Sequence, residues 1–449
     1  MRIALLLLLF AFAAAFGALR SRVETPGVTA LADVTVIDGT GASAQPHMTI
    51  LVADGRIASL FRTGTRPIPR GARMLDVGGA YVMPGLIDGH VHLATFERPP
   101  EMVDGILRYA LLGGVTTVRD MGGNARRVAA LATAARPDSA PMPRIYFSAV
   151  VSGPAWFATY DPERIRFWSD GRQPGTAPGT RLIVDTTSIA ALVQEAVALG
   201  ATGIKVYADV PPDRLTALAA EAHRRGLRVW SHAVVPPTRP GAVVAAGVDV
   251  MSHADQLIWA AAPAGAAVGD RSVRRELLRA TPPDAPPITA LLEAIRARGT
   301  LLEPTLLVMQ LGGAGAAGSA PRALDTIPAW AVGVTRRAHG LGIPLVAGTD
   351  AIGRRTPWIH AELQLLVRQA GLSPLEAIQT GTQHAAMALG IADSTGTIAP
   401  GKWADLLVLR ANPAEDIRNT QTIRYVMRHG HVRERTGPWE LPPLAEPPR

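Results

Sequence analysis

The sequence predicts an α/β protein, a distorted (β/α)8 barrel of the TIM type joined to a small β-sandwich. Eight apolar, strand-like runs alternate with Ala- and Leu-rich amphipathic segments through the middle of the chain, which is the pattern of repeated β-α units around a parallel sheet. The chain has 449 residues, which leaves room for a second domain beside a barrel of about 250 residues. Short β-like runs with turn signals occupy both ends of the chain.

The predicted barrel strands lie at 86–93, 115–119, 144–151, 203–207, 228–232, 248–253, 301–307 and 343–349. In such barrels the reactive side chains come from the C-terminal ends of the strands, so the strand ends hold the candidate functional residues. The stretch 152–180 combines aromatic residues with Gly and Pro and is predicted to be a long irregular connection. It would form either a lid or pocket wall, or a solvent-exposed insertion.

The two ends of the chain are predicted to pair into one domain. Residues 30–82 would form the N-terminal part of the sandwich and residues 396–435 its C-terminal part, with the barrel at 83–395 between them. Turn signals such as Asp38-Gly39 and Asp54-Gly55 separate the short strands of the first part.

Residues 1–20 are typical of a secretory signal peptide. Arg2 precedes an apolar run from Ala4 to Phe16, and two small residues follow. The run is shorter than the roughly 20 residues of a membrane-spanning helix, which favours cleavage over a retained anchor, the alternative. We therefore expect an exported protein, periplasmic or secreted, without stable membrane insertion after cleavage.

Composition narrows the function classes. The absence of cysteine excludes disulfides, a thiol nucleophile and cysteine-ligated zinc. The formal net charge is +8, yet the arginines are scattered without a basic run or interleaved aromatics, so nucleic acid is not an expected partner. A small-molecule substrate is expected instead, and a homo-oligomer remains open.

The first predicted barrel strand ends in His90-Val91-His92. Side chains two residues apart on a strand share a face, with Cα atoms about 6.6 Å apart, so both imidazoles can bind one metal ion. Asp88 falls on the same face. Alone, such a pair is more often surface or packed histidine than a metal site.

Lys205 lies within the fourth predicted strand and is one of only two lysines in an arginine-rich chain. Burial would lower the pKa of its ammonium and favour the neutral amine. A neutral amine can react with carbon dioxide to form a carbamate, an anionic ligand able to bridge two metal ions. Arginine cannot be deprotonated in this way. The alternative is a lysine that is ion-paired in the barrel or extends to its rim.

Three further polar side chains end predicted strands: His232 on the fifth, His253 on the sixth and Asp350 on the eighth. Each alone could be a hydrogen-bonded core histidine or a helix-capping aspartate. Together with His90, His92 and Lys205 they predict a metal centre at one end of the barrel.

With this set of residues the sequence resembles the amidohydrolase superfamily, in particular its imidazolonepropionase-like and prolidase-like branch of dipeptidases and related hydrolases. The resemblance covers roughly residues 30–432. The matching stretches are 36–41, 84–92, 114–120, 348–351 and 400–406.

The resemblance implies two divalent metal ions, with zinc as the expected metal. His90 and His92 would hold the more buried ion, His232 and His253 the more exposed one, and carboxylated Lys205 would bridge them. Asp350 would complete the first site. Relatives often carry Glu before the strand-six histidine, where this chain has Ser252, so that residue's role does not transfer.

The expected activity is hydrolysis of an amide or peptide bond in a small substrate, such as a dipeptide or an N-acyl amino acid, through a metal-bridging hydroxide. Asp350 would take the proton of the attacking water and pass it to the leaving amine. Tyr207 could contact the substrate or be ordinary core, and Arg119 with Asp120 is expected to form a structural ion pair. The alternatives are a mononuclear deaminase of the same superfamily and a catalytically silent binding barrel.

Overall fold

The computed structural model describes residues 27–311, 326–350 and 358–435. The predicted signal segment at 1–20 lies outside the described residues. Among the helices that are described, none has both the length and the apolar composition of a membrane span.

The central domain is a nearly closed barrel of parallel strands. Its strands are β6 (Leu86–Val91), β7 (Val115–Asp120), β8 (Arg144–Ser152), β11 (Gly203–Val206), β12 (Arg228–His232), β13 (Val250–Ser252) and β14 (Leu301–Glu303). They pair in parallel in that order. Seven of the eight predicted strands are therefore present, although the seventh ends at Glu303 rather than at residue 307.

The predicted eighth strand at 343–349 closes the barrel without forming a regular ladder. Leu345 makes an isolated parallel bridge to Leu302 on β14. The backbone N–H of Val346 then donates to the carbonyl of Leu302, and that of Asp350 donates to the carbonyl of His90 on β6. Pro344 has no N–H to add to a ladder, which limits the regular pairing here.

Helices surround the barrel. They are α1 (Pro100–Leu112), α2 (Ala125–Ala134), α3 (Pro154–Thr159), α4 (Pro162–Trp168), α5 (Ile189–Leu199), α6 (Pro212–Arg224), α7 (Pro240–Ala245), α8 (Arg271–Ala280), α9 (Pro286–Arg298), α10 (Leu306–Gln310), α11 (Thr326–Gly340), α12 (Ile359–Arg368), α13 (Pro374–Thr380) and α14 (Gln383–Leu389), with 3₁₀ turns at Ala254–Ala261 and Ile417–Gln421. Many begin with proline, whose missing N–H costs no intrahelical bond in the first turn.

The second domain is a single mixed sheet built from both ends of the chain. Its strands are β1 (Thr29–Val36), β2 (Gln45–Ala53), β3 (Arg56–Arg62), β4 (Arg73–Leu75), β5 (Tyr81–Pro84), β15 (Leu406–Leu409), β16 (Ile423–Arg428) and β17 (His431–Glu434). β15 joins the two ends by pairing with both β5 and β16. Alternate side chains of β15 face different cores: Leu407 and Leu409 pack on the barrel, whereas Leu406 and Val408 pack within the sheet domain.

The connection after β8 is more regular than the sequence predicts. It contains α3 and α4, followed by a short hairpin of β9 (Thr176–Ala177) and β10 (Thr180–Leu182). Proline at the first position of each helix and the side chain of Asp161, which accepts from two backbone N–H groups of α4, start these short helices.

Candidate metal centre

His90 on β6 and His92 just after it are each held through Nδ1, which turns their Nε2 atoms toward Asp350. His90 Nδ1 lies 2.7 Å from Glu303 Oε2, and His92 Nδ1 lies 2.7 Å from the carbonyl oxygen of Gly122. Because both partners are acceptors, Nδ1 carries a proton in each ring, so Nε2 is the atom that can bind a metal ion. Fixing the tautomer in this way is typical of metal-binding histidines.

Asp350 lies at the end of the segment that closes the barrel, and its carboxylate contacts these two imidazoles. Its Oδ1 lies 3.0 Å from His92 Nε2 and 3.6 Å from His90 Nε2. The ligand atoms of the three residues lie within 4.8 Å of one another. The backbone of Asp350 is left-handed, with φ of 52°, a conformation that is strained for most residues other than glycine.

The carboxylate of Asp88 fixes the segment that carries Asp350. It accepts hydrogen bonds from the backbone N–H and the hydroxyl of Thr349, at 3.0 and 2.7 Å, and from the N–H of His90. Burial raises the pKa of Asp88 to about 7, although these hydrogen bonds oppose the shift. Asp88 therefore joins β6 to the closing segment rather than pointing at the cluster.

His232 and His253 extend the cluster toward solvent. The ring of His253 lies 5.2 Å from that of His90 and 4.9 Å from that of His232, between centroids. His253 Nδ1 contacts the hydroxyl of Thr305 at 2.9 Å. Both His232 and His253 are half-buried, whereas His90 and His92 are buried.

Lys205 is fully buried on β11, and its Nζ donates to the hydroxyl of Ser252 at 3.0 Å. Burial lowers the pKa of the Lys205 ammonium to about 7, although the charge of Glu303 opposes the shift. The amine is thus substantially neutral near neutral pH, which is the form that reacts with carbon dioxide.

Tyr207 faces the same region. Its hydroxyl donates to the carbonyl of Met121 at 3.0 Å, and its ring meets that of His232 edge-on at 4.8 Å. Tyr207 therefore contacts the cluster through its ring.

Glu303 contacts the cluster but was missed in the sequence analysis. It lies on β14 with no exposed surface and accepts from Arg119 Nη2 at 2.6 Å as well as from His90. Burial would raise the pKa of Glu303, but the charges of Arg119 and His90 lower it to about 2. A carboxylate inside a predicted apolar barrel strand was the available signal.

The expected ion pair between Arg119 and Asp120 is wrong. Neighbouring side chains on a strand point in opposite directions, so the two diverge. Arg119 turns into the barrel and contacts Glu303, while Asp120 accepts from the backbone N–H groups of Leu93 and Gly122 at 2.6 and 3.0 Å.

The donor set fits a divalent metal ion. Burial lowers the pKa of His90, of His232 and of His253, the last to about 3, so these imidazoles are neutral near neutral pH. Burial would raise the pKa of Asp350, but the charge of His90 and the contact with His92 hold it well below its usual range. Neutral imidazoles beside an ionised carboxylate are the ligands that zinc prefers in the absence of thiols.

A group of aromatic side chains borders the cluster beside His232. We call it the aromatic wall; it consists of Trp156, Tyr160, Trp168 and Tyr207. The Trp156 ring stacks on Tyr160 at 4.7 Å and lies 5.1 Å from the ring of Tyr207. The connection between β8 and β10 therefore packs against the end of the barrel near the candidate ligands.

The remaining histidines make structural contacts or lie at the surface. His360, for example, is buried between the hydroxyl of Thr420 and the carbonyl of Gly113, at 2.8 and 2.9 Å. His47 is largely exposed and contacts Asp33.

A parallel barrel thus carries histidines, a lysine and a carboxylate near the C-terminal ends of its strands, a set of side chains that can bind divalent metal ions. The sequence profile of the amidohydrolase family matches residues 81–433, which is most of the chain. The chain therefore belongs to the amidohydrolase family.

Curated relatives align over short stretches. Ochratoxinase of Aspergillus niger is 36% identical over 105 residues, 22% of this chain and 21% of that protein. Imidazolonepropionase of Deinococcus deserti is 38% identical over 87 residues, 19% of this chain and 22% of that protein. These alignments thus span about a fifth of each relative's own length.

Solved structures superpose over nearly the whole chain. A Bifidobacterium longum protein provisionally assigned as a prolidase is 28% identical with a TM-score of 0.67, covering 92% of this chain and 96% of that one. A Xaa-Pro dipeptidase with bound methionine is 20% identical with a TM-score of 0.69, covering 91% and 100%. The Aspergillus niger ochratoxinase structure is 21% identical with a TM-score of 0.70, covering 92% and 96%. The last two similarities show the shared fold alone.

Proposed function

We propose that the chain is a binuclear metal-dependent hydrolase that cleaves an amide or peptide bond of a small substrate, such as a dipeptide or an N-acyl amino acid. The observation that supports this most directly is the grouping of His90, His92 and Asp350, with ligand atoms within 4.8 Å of one another. The rings of His253 and His232 continue the group in steps of 5.2 and 4.9 Å.

The ligand assignment follows the deeper burial of His90 and His92 and the contacts of Asp350 with both. His90, His92 and Asp350 would hold the inner ion, and His232 with His253 the outer one. Carboxylated Lys205 would bridge them. Lys205 is buried, and in the order of the barrel strands its strand β11 lies between β6, which carries His90, and β12, which carries His232. When bound, divalent ions at these residues supply an activated water and polarise the scissile carbonyl, and zinc is the metal we propose.

Asp350 is the proposed proton carrier. Asp350 is ionised, and 12% of its side chain is exposed. It therefore lies beside the ligand histidines and also faces the open end of the barrel, where a substrate would bind. As a base it accepts the proton of the attacking water, and as an acid it returns that proton to the leaving nitrogen. Amide cleavage needs this return, because without the proton the nitrogen would have to leave as an amide anion, a poor leaving group.

The aromatic wall bears on the substrate class. Trp156 is half-buried beside Tyr207, whose ring contacts His232, so an apolar or aromatic group next to the scissile bond would pack there. Tyr207 is the residue we propose to contact the substrate. Among the structural neighbours, one is named a Xaa-Pro dipeptidase, which supports small peptides as the first substrates to test.

The test is metal analysis of the purified chain, followed by a screen of dipeptides and N-acyl amino acids for release of the free amino acid. We expect two zinc ions per chain and hydrolysis of substrates with an apolar group beside the amide. One ion per chain with release of ammonia would instead identify the mononuclear deaminase. Bound metal without turnover of any amide would favour a silent barrel.

The two lysines offer a matched comparison for the bridging role. Lys205→Met removes the proposed bridge, and we expect it to reduce both metal content and turnover. Lys402→Met removes the other lysine, whose Nζ donates to the carbonyl of Ala392 and the hydroxyl of Thr397, both at 2.6 Å, away from the cluster. That variant should keep two ions. Equal metal content in the two variants would contradict the bridge.

We also propose that the chain is exported, periplasmic or secreted, on the strength of the apolar N-terminal segment at 1–20.

A further inference from the structure

A chain of hydrogen bonds links Lys205 to His90 through two side chains outside the proposed ligand set. Lys205 Nζ donates to Ser252 Oγ at 3.0 Å, and Ser252 Oγ donates to Glu303 Oε2 at 2.8 Å. The same Oε2 receives His90 Nδ1 at 2.7 Å. At most 1% of any of these four residues is exposed, so water does not compete for these contacts.

Backbone pairing sets the geometry of this chain. Ser252 on β13 and Glu303 on β14 are direct partners in the parallel register, so their side chains share the inner face of the barrel. Arg119 approaches from β7 and occupies the other carboxylate oxygen, Oε1, at 2.6 Å. It also donates from Nε to the carbonyl of Gly89 at 2.5 Å and lies 4.7 Å over the Trp230 ring. Glu303 therefore has little freedom to move.

The direction of each hydrogen bond follows from the chemistry of a carboxylate. An ionised carboxylate only accepts, so Ser252 must donate its proton to Glu303 and must accept from Lys205 with a lone pair. For the same reason His90 must carry its proton on Nδ1. One buried carboxylate thus determines the hydrogen positions on ligands proposed for both ions.

We infer that Glu303, acting through Ser252, is a positioning residue that aligns Lys205 and His90 for the two metal ions. This inference rests on the proposed binuclear function. It extends to the carboxylated lysine. When the neutral amine nitrogen bonds to the carbon of carbon dioxide, one C=O π bond breaks, one N–H proton passes to solvent water, and the carbamate keeps the other N–H. That remaining N–H satisfies the Ser252 acceptor, so the chain orients the carbamate as it orients the amine.

Ser252→Ala tests the inference by removing one oxygen atom from the chain. Ser231→Ala is the matched control, because Ser231 is also fully buried, lies on the adjacent strand β12, and has no hydrogen-bond partner for its hydroxyl within the described part of the chain. Zinc affinity is measured by chelator competition, and lysine carboxylation by the ¹³C signal of the protein after incubation with labelled bicarbonate.

We expect Ser252→Ala to bind one ion normally and the second about 10- to 100-fold more weakly, with a reduced carbamate signal. Glu303→Gln should weaken both ions, because it also disturbs His90. Ser231→Ala should match the wild type in both measurements. Ser252→Cys repeats the test with a weaker hydrogen-bonding group of similar shape if the alanine variant does not fold.

If the wild type binds two ions and Ser252→Ala binds both as tightly as the wild type does, this inference is overturned while the proposed binuclear function stands. A wild-type chain that binds fewer than two ions would overturn the proposed binuclear function and this inference with it.

Discussion

Replacing Arg119 by methionine would leave the buried carboxylate of Glu303 without the guanidinium that contacts it. Neither residue has exposed surface, so the loss is not relieved by solvent. Methionine keeps much of the side-chain volume over the Trp230 ring, which makes charge the main change.

The size of the stability loss depends on the hydrogen bonds that Glu303 keeps in the variant. Breaking a buried ion pair by removing one partner costs about 3–5 kcal/mol. Ser252 and His90 still donate to Oε2, so we expect the lower end, about 3 kcal/mol. With an unfolding entropy of about 2.1 cal/mol/K per residue, a chain of 449 residues would lose roughly 3 °C of melting temperature.

The assay is thermal unfolding of the metal-free protein, so that ligand binding does not contribute to stability. The control is the double variant Arg119→Met with Glu303→Gln, in which no unpaired charge is left. If the two side chains are coupled as the structure indicates, the double variant should lose less than the two single variants together. A melting temperature of Arg119→Met within about 1 °C of wild type, or strictly additive losses, would refute the reasoning.

Three further predictions follow from the site and the chain. Asp350→Asn should lower turnover by about 10²- to 10⁴-fold while metal content stays near that of wild type, because the amide can still bind metal but cannot carry the proton; turnover at the wild-type rate would contradict the role. Gly122→Ala should lower the melting temperature, because Gly122 has a φ of 144° and an added Cβ would lie 2.5 Å from Tyr207 Oη. Gly105→Ala in α1 is the control. An added Cβ there meets no atom within 4 Å, so this change should stabilise the protein by about 0.5–1 kcal/mol. Mass spectrometry of the exported protein should show a mature N-terminus near residue 20, and an intact Met1 would contradict cleavage.

The periodic parts of the fold could be predicted from sequence. Seven parallel strands could be predicted because apolar runs recur along the chain. The ends of these strands then indicated the candidate ligands. The closing segment was harder, because Pro344 cannot donate and the backbone hydrogen bonds of this segment are divided between β14 and β6. The short helices α3 and α4 escaped detection because six or seven residues are too few to show a helical period.

The second domain shows the same limit. The texture of strands and turns at both ends of the sequence predicted a β domain, but the pairing of β15 with β5 across more than 300 residues, which merges the strands into one sheet, depends on tertiary structure.

By itself, the sequence determined which residues stand at the ends of the barrel strands, since alternation and apolar runs are local properties of the chain. Only the tertiary structure decided what those residues contact. Arg119 pairs with Glu303 rather than with its neighbour Asp120, because adjacent side chains diverge while residues from distant strands converge inside the barrel. Glu303 gained its importance from Ser252, His90 and Arg119, which three other strands bring to it.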